Sequence, residues 1–194
     1  GIMAPTITLL GASGIIKGVL TLLTFFNLLD ASGGAYMIWY TVADGFFYFL
    51  PVILGYTAAK KFKMSEYTGM ALGISLCYPT MVALKGGEAL GTVLTGTAFE
   101  MSFYTSFFGI PVIFPSSGYT SSVIPIVICC FFAAKLEKWI NQHLSDMIKN
   151  FITPVCVLVI MSSLTYLIIG PVSGIICGVL PLVFETLFNI PVVG

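Results

Sequence analysis

The sequence predicts an all-α integral membrane protein with about five transmembrane helices and a structured, partly β loop on its outer face. Three observations carry this reading. Hydrophobic residues make up 58% of the chain and charged residues only 8%, with a mean hydropathy of +1.04. A soluble domain has about 25% charged residues, and so few charges cannot clothe a water-facing surface. The apolar residues are gathered into runs of about 20, the length that crosses a bilayer. The basic residues, all lysine, sit in clusters between particular runs. The net charge is zero and no basic stripe is present to bind phosphates, so no nucleic-acid partner is expected.

The first span is expected over about 7–29. It contains the small-xxx-small face Gly14-Ile-Ile-Lys17-Gly18, which lets a neighbouring backbone approach, and it carries Lys17 near its middle. Asp30-Ala-Ser-Gly-Gly34 is a turn by composition. The second span, about 35–59, carries Asp44, the aromatics Phe46, Phe47, Tyr48 and Phe49, and Pro51. Pro51 lacks the N–H that would reach the Phe47 carbonyl, so a kink is expected there. Lys60, Lys61 and Lys63 close this span. The third span, about 67–84, has a second small face, Gly69-Met-Ala-Leu-Gly73, and a second expected kink at Pro79.

Residues 85–118 are too polar for a span and too long for a tight turn, and 99–114 is β-prone. A structured loop with a short hairpin is expected. The fourth span, about 119–134, opens with Ser121, Ser122 and Pro125. In 135–150, Leu136, Trp139, Ile140, Leu144, Met147 and Ile148 recur at helical spacing among Lys135, Lys138, Asp146 and Lys149. This is an amphipathic helix, either lying on the surface or leaving the bilayer. The last apolar run, 151–188, is too long for one ordinary span. Gly170-Pro171 is expected to break or bend it, giving one span plus a partial helix or two short spans.

Lysine placement sets the orientation. Lys60, Lys61 and Lys63 fall between spans two and three, and Lys135, Lys138 and Lys149 between spans four and five, while the other side holds only Lys85. The positive-inside rule places the first two clusters, and with them the N-terminus, in the cytoplasm. The 85–118 loop then faces outward.

Lys17 and Asp44 are the charges inside spans. Each lies about ten residues, roughly 15 Å, into its helix, and the two helices run antiparallel, so both reach similar depth. Each alone costs about 2.5–3.5 kcal/mol at a helix centre on insertion scales. They read either as a polar pair lining a solute path or as a structural ion pair, with a snorkelling lysine as a further option. Glu185 is a third candidate for such a path and otherwise reads as a surface carboxylate at a helix end. His143, the single histidine, sits in a polar segment and reads as solvated. Cys77, Cys129, Cys130, Cys156 and Cys177 fall in apolar runs without metal-ligand spacing and read as small buried hydrophobes. No Ser-His-Asp set, phosphate loop or dinucleotide fingerprint is present, so no catalytic residue, metal or cofactor is expected within this segment. The aromatics from Phe46 to Phe49 have faces suited to a sugar ring and equally to packing.

At this point a family resemblance emerges. Ala43-Asp44-Gly-Phe-Phe-Tyr-Phe-Leu-Pro51, with Gly55-Tyr-Thr-Ala-Ala-Lys60-Lys-Phe62, resembles the second-helix signature of the membrane (IIC) component of phosphotransferase-system sugar permeases. The likeness is greatest to the β-glucoside branch of the glucose superfamily, with sucrose and trehalose permeases close by. Gly14-Ile-Ile-Lys17-Gly18 is similar to the first helix, Phe108-Gly-Ile-Pro-Val112 and Tyr119-Thr-Ser-Ser-Val-Ile-Pro-Ile126 to the loop and fourth helix, and Ile169-Gly-Pro171 to the fifth. Together the matches cover nearly the whole chain in order.

The resemblance implies sugar uptake with coupled phosphorylation in a bacterial plasma membrane. The phosphoryl group would come from phosphoenolpyruvate through a histidine on IIA and a cysteine on IIB. It also implies a homodimer, with this chain as the N-terminal scaffold and dimerisation half and with Lys60, Lys61 and Lys63 on the IIB-facing side. The glutamate-bearing sugar stretch of the second half is not found here, so the chain reads as part of a longer one, inactive by itself. Two other classes stand beside this reading: a stand-alone membrane assembly module, and an unrelated ion-coupled secondary transporter.

Overall fold

The structure, a computed structural model, describes residues 1–97, 100–115 and 118–188, with the side chains at 146, 147 and 180–188 excepted. A 3-10 turn, Ala4–Thr6, leads into α1 (Ile7–Phe25). Asn27, at φ 54, turns the chain. Asp30 then accepts hydrogen bonds from the Ser32 N–H at 2.9 Å and the Ser32 hydroxyl at 2.8 Å, closing an Asx turn before α2 (Gly34–Tyr48). These bonds hold the Asp30 carboxyl below its ordinary pKa.

The kink expected at Pro51 is instead a helix break just before it. α2 ends at Tyr48, Phe49 leaves helical geometry at φ −91, ψ 14, and α3 (Leu50–Phe62) begins with Pro51 in its first turn. Proline fits there because a first-turn N–H has no intrahelical acceptor. Pro79 acts the same way. α4 (Glu66–Leu76) stops before it, and α5 (Pro79–Leu84) starts on it.

The centre of the fold is the crossing of α3 and α4. A Cβ on Gly69 would lie 2.5 Å from both the Ala59 Cβ and the Gly55 carbonyl oxygen, and one on Gly73 would run into the Pro51 carbonyl. Two small faces, Gly55/Ala59 and Gly69/Gly73, therefore mesh backbone to backbone. In lipid such packing counts for more than apolar burial, because acyl chains are as apolar as leucine. The other small face differs: a Cβ at Gly14 or Gly18 would meet nothing within 4 Å. Leu54, Leu72, Ile126, Cys129, Cys130, Val157 and Met161 complete the buried core.

The segment expected as a structured loop holds a three-stranded antiparallel sheet, β1 (Gly91–Val93), β2 (Met101–Phe107) and β3 (Ile110–Ile113), in the order β1-β2-β3. Phe108 and Gly109 join β2 to β3 with φ 50 and 84, the paired positive values of a type I′ hairpin turn. The hairpin lies within the β-prone stretch, and β1 adds a third strand by pairing Gly91 with Phe103.

The fourth span, expected over 119–134, is corrected. Helix α6 starts later, at Ile124, and runs to His143 without interruption. Only its first half is apolar, and Lys135, Glu137 and Lys138 follow. The expected helical spacing of 135–150 is thus met as far as His143, as a continuation of α6. Residues from 146 onward already belong to α7 (Asp146–Leu164).

Of the break or bend expected at Gly170-Pro171, the break is corrected. α7, a π-helical turn (Thr165–Ile169) and α8 (Gly170–Phe188) form one continuous helical run. Pro171 has no N–H and its ring would clash with the carbonyl four residues back, Leu167. Wider π spacing just before it absorbs the mismatch without a break. Among the described residues, four helical stretches are long and apolar enough to cross a bilayer: Ala4–Phe25, Gly34–Phe62, Glu66–Leu84 and Ile148–Val179.

Candidate functional site

Three places gather polar side chains. The first lies between α1 and α2. Lys17 and Asp44 meet there, with Lys17 Nζ 2.5 Å from Asp44 Oδ1. Tyr40, Asp44 and Phe47 stand at helical spacing on one face of α2, so the ammonium also lies 5.3 Å from the Tyr40 ring centroid and 5.2 Å from that of Phe47. The pair therefore sits in an aromatic bracket, and each side chain is about a third exposed. Around it the hairpin is apolar and outward-facing: Ile15, Val19, Met37 and Trp39 are exposed, and only Ser13, Leu20 and Ala43 are buried on these helices. Chemically the arrangement pairs the two opposite charges across α1 and α2.

The second place is the lysine end. Lys60 and Lys61 occupy the last turn of α3, where positive charge complements the helix dipole. Lys63 caps the helix in the left-handed region at φ 61, and Met64 N–H returns to the Ala59 carbonyl at 3.1 Å. Ser65 then caps α4, its hydroxyl accepting from Thr68 N–H at 3.4 Å. The Ser65 N–H is taken by Glu137 of α6, at 3.1 and 3.2 Å from its two carboxylate oxygens. One turn further along α6, Asn141 accepts from the buried Thr153 hydroxyl of α7 at 2.8 Å. These residues line a polar cleft of 230 Å³. Burial pushes the Glu137 carboxyl above its ordinary pKa, and the Ser65 N–H offsets part of this.

The third place is the sheet end. Tyr119 packs edge-on between Phe114 and Tyr166, at 5.6 and 5.2 Å between centroids. Tyr166, on the π turn, donates to the Ser75 carbonyl at 2.5 Å. Gly170 has no Cβ to spare here, since one would strike the Tyr119 hydroxyl. Beside it, a 320 Å³ cavity lies between the sheet and α7, with the hydroxyls of Thr105, Ser106, Ser162, Ser163 and Tyr166 on its walls.

These positions can now be set against known proteins. A family model described as "Phosphotransferase system, EIIC" matches residues 1–191. The chain belongs to the phosphotransferase-system EIIC family. The chain is 43% identical over 172 residues to a "PTS system beta-glucoside-specific EIIBCA component" of Halalkalibacterium halodurans, covering 89% of this chain and 27% of that protein. A protein of the same description from Dickeya chrysanthemi is 37% identical, with 88% and 25% covered. A "PTS system sucrose-specific EIIBC component" of Klebsiella pneumoniae is 27% identical, with 97% and 38% covered. The chain thus spans about a quarter of the length of the β-glucoside relatives it matches. No solved structure matches it. EIIC membership and the apolar helices make this a multi-pass helical membrane protein.

Within this EIIC chain the remaining candidates fall as follows. His143 is exposed at the end of α6, its Nδ1 2.8 Å from the Trp139 carbonyl. All five cysteines are free thiols; Cys77, Cys129 and Cys130 are buried, and Cys156 and Cys177 half-buried. Phe46 packs against the core, whereas Phe49 is exposed. The Glu185 side chain lies outside the described residues. Glu137, Asn141, Thr153 and Tyr166 escape sequence reasoning, because each acts through a partner at least a dozen positions away.

Proposed function

We propose that this chain is the N-terminal scaffold and dimerisation half of the EIIC domain of a β-glucoside permease, taking up sugar and releasing it inside as a sugar phosphate. The observation that carries this is the EIIC match across residues 1–191 together with 43% identity to a β-glucoside-specific EIIBCA component. The phosphoryl group would come from phosphoenolpyruvate through IIA and IIB, so the activity is that of a phosphotransferase complex rather than of this segment. The relatives' names, EIIBCA and EIIBC, favour IIB as an immediate partner.

In this reading the protein is a homodimer in a bacterial plasma membrane. The N-terminus and the 60–66 turn lie in the cytoplasm, with Lys60, Lys61 and Lys63 facing IIB, and the sheet lies outside. The clustering of lysines at one end of the helices supports that orientation. The apolar, outward-facing α1–α2 hairpin supports a role in assembly. The Lys17–Asp44 pair is proposed to lock that hairpin, and with it the wall along which sugar passes.

The test uses membrane vesicles carrying the whole protein that contains this chain. With soluble phosphotransferase components, a β-glucoside should be phosphorylated when phosphoenolpyruvate is supplied and not when ATP replaces it. Phosphorylation that ignores the donor, or none with any sugar of the glucose superfamily, overturns the proposal.

A further inference from the structure

The lysine end holds a groove of which the permease reading uses only Lys63, as part of the IIB-facing turn. It lies between the last turn of α3 and the middle of α6. A 450 Å³ cleft there is walled by Phe62, Lys63, Ala134, Lys138 and Gln142. A 170 Å³ extension toward the apolar half of α6 adds Phe131 and Lys135, and it shares Phe62, Ala134 and Lys138 with the larger part. The rings of Phe62 and Phe131 meet edge to face at 5.6 Å and form the floor.

The chemistry of this groove is that of a membrane surface. Along α6 the exposed residues pass from Phe131 and Phe132 to Lys135, Lys138 and then Trp139. That order, acyl-facing aromatics, then ammonium groups, then a tryptophan, marks the headgroup level of a bilayer. Lys135 does not reach away from the apolar half as a snorkelling lysine would. Its Nζ lies back over Phe131, 4.4 Å from the ring centroid. The charge is thus held at the boundary between acyl chain and headgroup.

Glu137 is the one carboxylate among the lining residues of the groove, and both its oxygens are engaged by the Ser65 N–H. Among the described residues, no carboxylate lies within ion-pair distance of Lys63, Lys135 or Lys138. Lys63 is anchored by its helix-capping backbone. Lys63 and Lys138 therefore line the larger part of the groove, and Lys135 and Lys138 its aromatic extension.

We infer that this groove binds an anionic phospholipid, with the phosphate diester held by Lys63, Lys135 and Lys138 and the acyl chains lying against Phe131 and Phe132. A basic pocket between helices at the membrane surface suits such a headgroup. An acidic surface on a soluble partner meets the charge requirement but leaves the aromatic floor and the exposed phenylalanines beside it unused, so the lipid is the better fit.

The experiment follows Trp139, which stands beside Lys138 on α6. Trp39→Phe leaves Trp139 as the sole tryptophan of the chain. The full chain is placed in phosphatidylcholine nanodiscs containing equal mole fractions of either brominated phosphatidylglycerol or brominated phosphatidylcholine. Brominated phosphatidylglycerol should quench Trp139 more strongly. The preference should fall about fivefold for each of Lys63→Gln, Lys135→Gln and Lys138→Gln. Lys60→Gln with Lys61→Gln, on the same surface but outside the groove, should leave it largely intact. Equal quenching by the two lipids overturns the inference, as does a Trp139 shielded from both by a protein segment. An equal loss in the Lys60/Lys61 variant overturns it as well, since that would be a diffuse positive surface rather than a site. None of these outcomes depends on sugar phosphorylation.

Discussion

Neutralising one member of the Lys17–Asp44 pair should destabilise the chain, and neutralising both should largely restore it. The structure sets the scale. At 2.5 Å separation, an effective dielectric constant near 20 gives a gross attraction of about 7 kcal/mol, most of which is offset by desolvation of the two ions. What a single variant exposes is the cost of the charge left behind, about 2.5–3.5 kcal/mol at mid-depth in a bilayer. Both side chains are about a third exposed at the hairpin surface, so a cost somewhat below that range applies. We expect Lys17→Met and Asp44→Asn each to cost about 2 kcal/mol. The double variant should cost no more than about 1 kcal/mol, a coupling of about 3 kcal/mol. The swap Lys17→Asp with Asp44→Lys should recover part of the stability that either reversal alone loses. The assay is unfolding of the chain by SDS titration from mixed micelles, followed by circular dichroism. Additive single effects, or a swapped pair no better than either reversal, would refute the reasoning, because the two charges would then act independently.

Four further outcomes follow, three from the packing and one from the titration of Glu137. Gly69→Val should cost about 3 kcal/mol, since its Cβ would stand 2.5 Å from Ala59 and Gly55. Gly14→Ala should leave the same melting curve within error, because nothing lies within 4 Å of that position. Tyr166→Phe removes the 2.5 Å bond to the Ser75 carbonyl and should cost about 1–2 kcal/mol in thermal unfolding. Glu137 has a raised folded-state pKa, with 4.5 as its ordinary value. The folded chain therefore binds the Glu137 proton more tightly than the unfolded one, and this contribution to stability is lost as pH rises through the ordinary value toward the folded one. Melting temperature should fall over that window in the parent and stay flatter in Glu137→Gln, whose amide oxygen still accepts from Ser65.

Helical membrane class, the lysine-rich turn and the hairpin near 99–114 can be read from composition and periodicity, because lipid imposes its length and polarity on the chain directly. Matched depth likewise points to Lys17 and Asp44 as neighbours. Helix ends at proline are harder. Pro51 and Pro79 announce a missing N–H, but whether the helix bends or restarts depends on what packs there, and at Pro51 the close approach of Gly73 favours a restart. At Pro171 the chain takes π spacing instead, with Tyr119 lodged against Gly170. Strand β1 has three residues and no periodicity of its own, and only its pairing with β2 makes it a strand. Glu137 lies 72 residues from Ser65. Their contact exists only after α4 and α6 are packed, so no local pattern betrays it.

The central proposal is that sugar crosses through the protein that contains this chain and arrives phosphorylated. Right-side-out vesicles carrying the whole protein, loaded with phosphoenolpyruvate and soluble phosphotransferase components, test it most directly. After uptake of a labelled β-glucoside, the chemical form of the label inside is measured. The account predicts sugar phosphate, with accumulation unaffected by collapsing the proton gradient. Free, unphosphorylated sugar whose accumulation disappears with that gradient would contradict it.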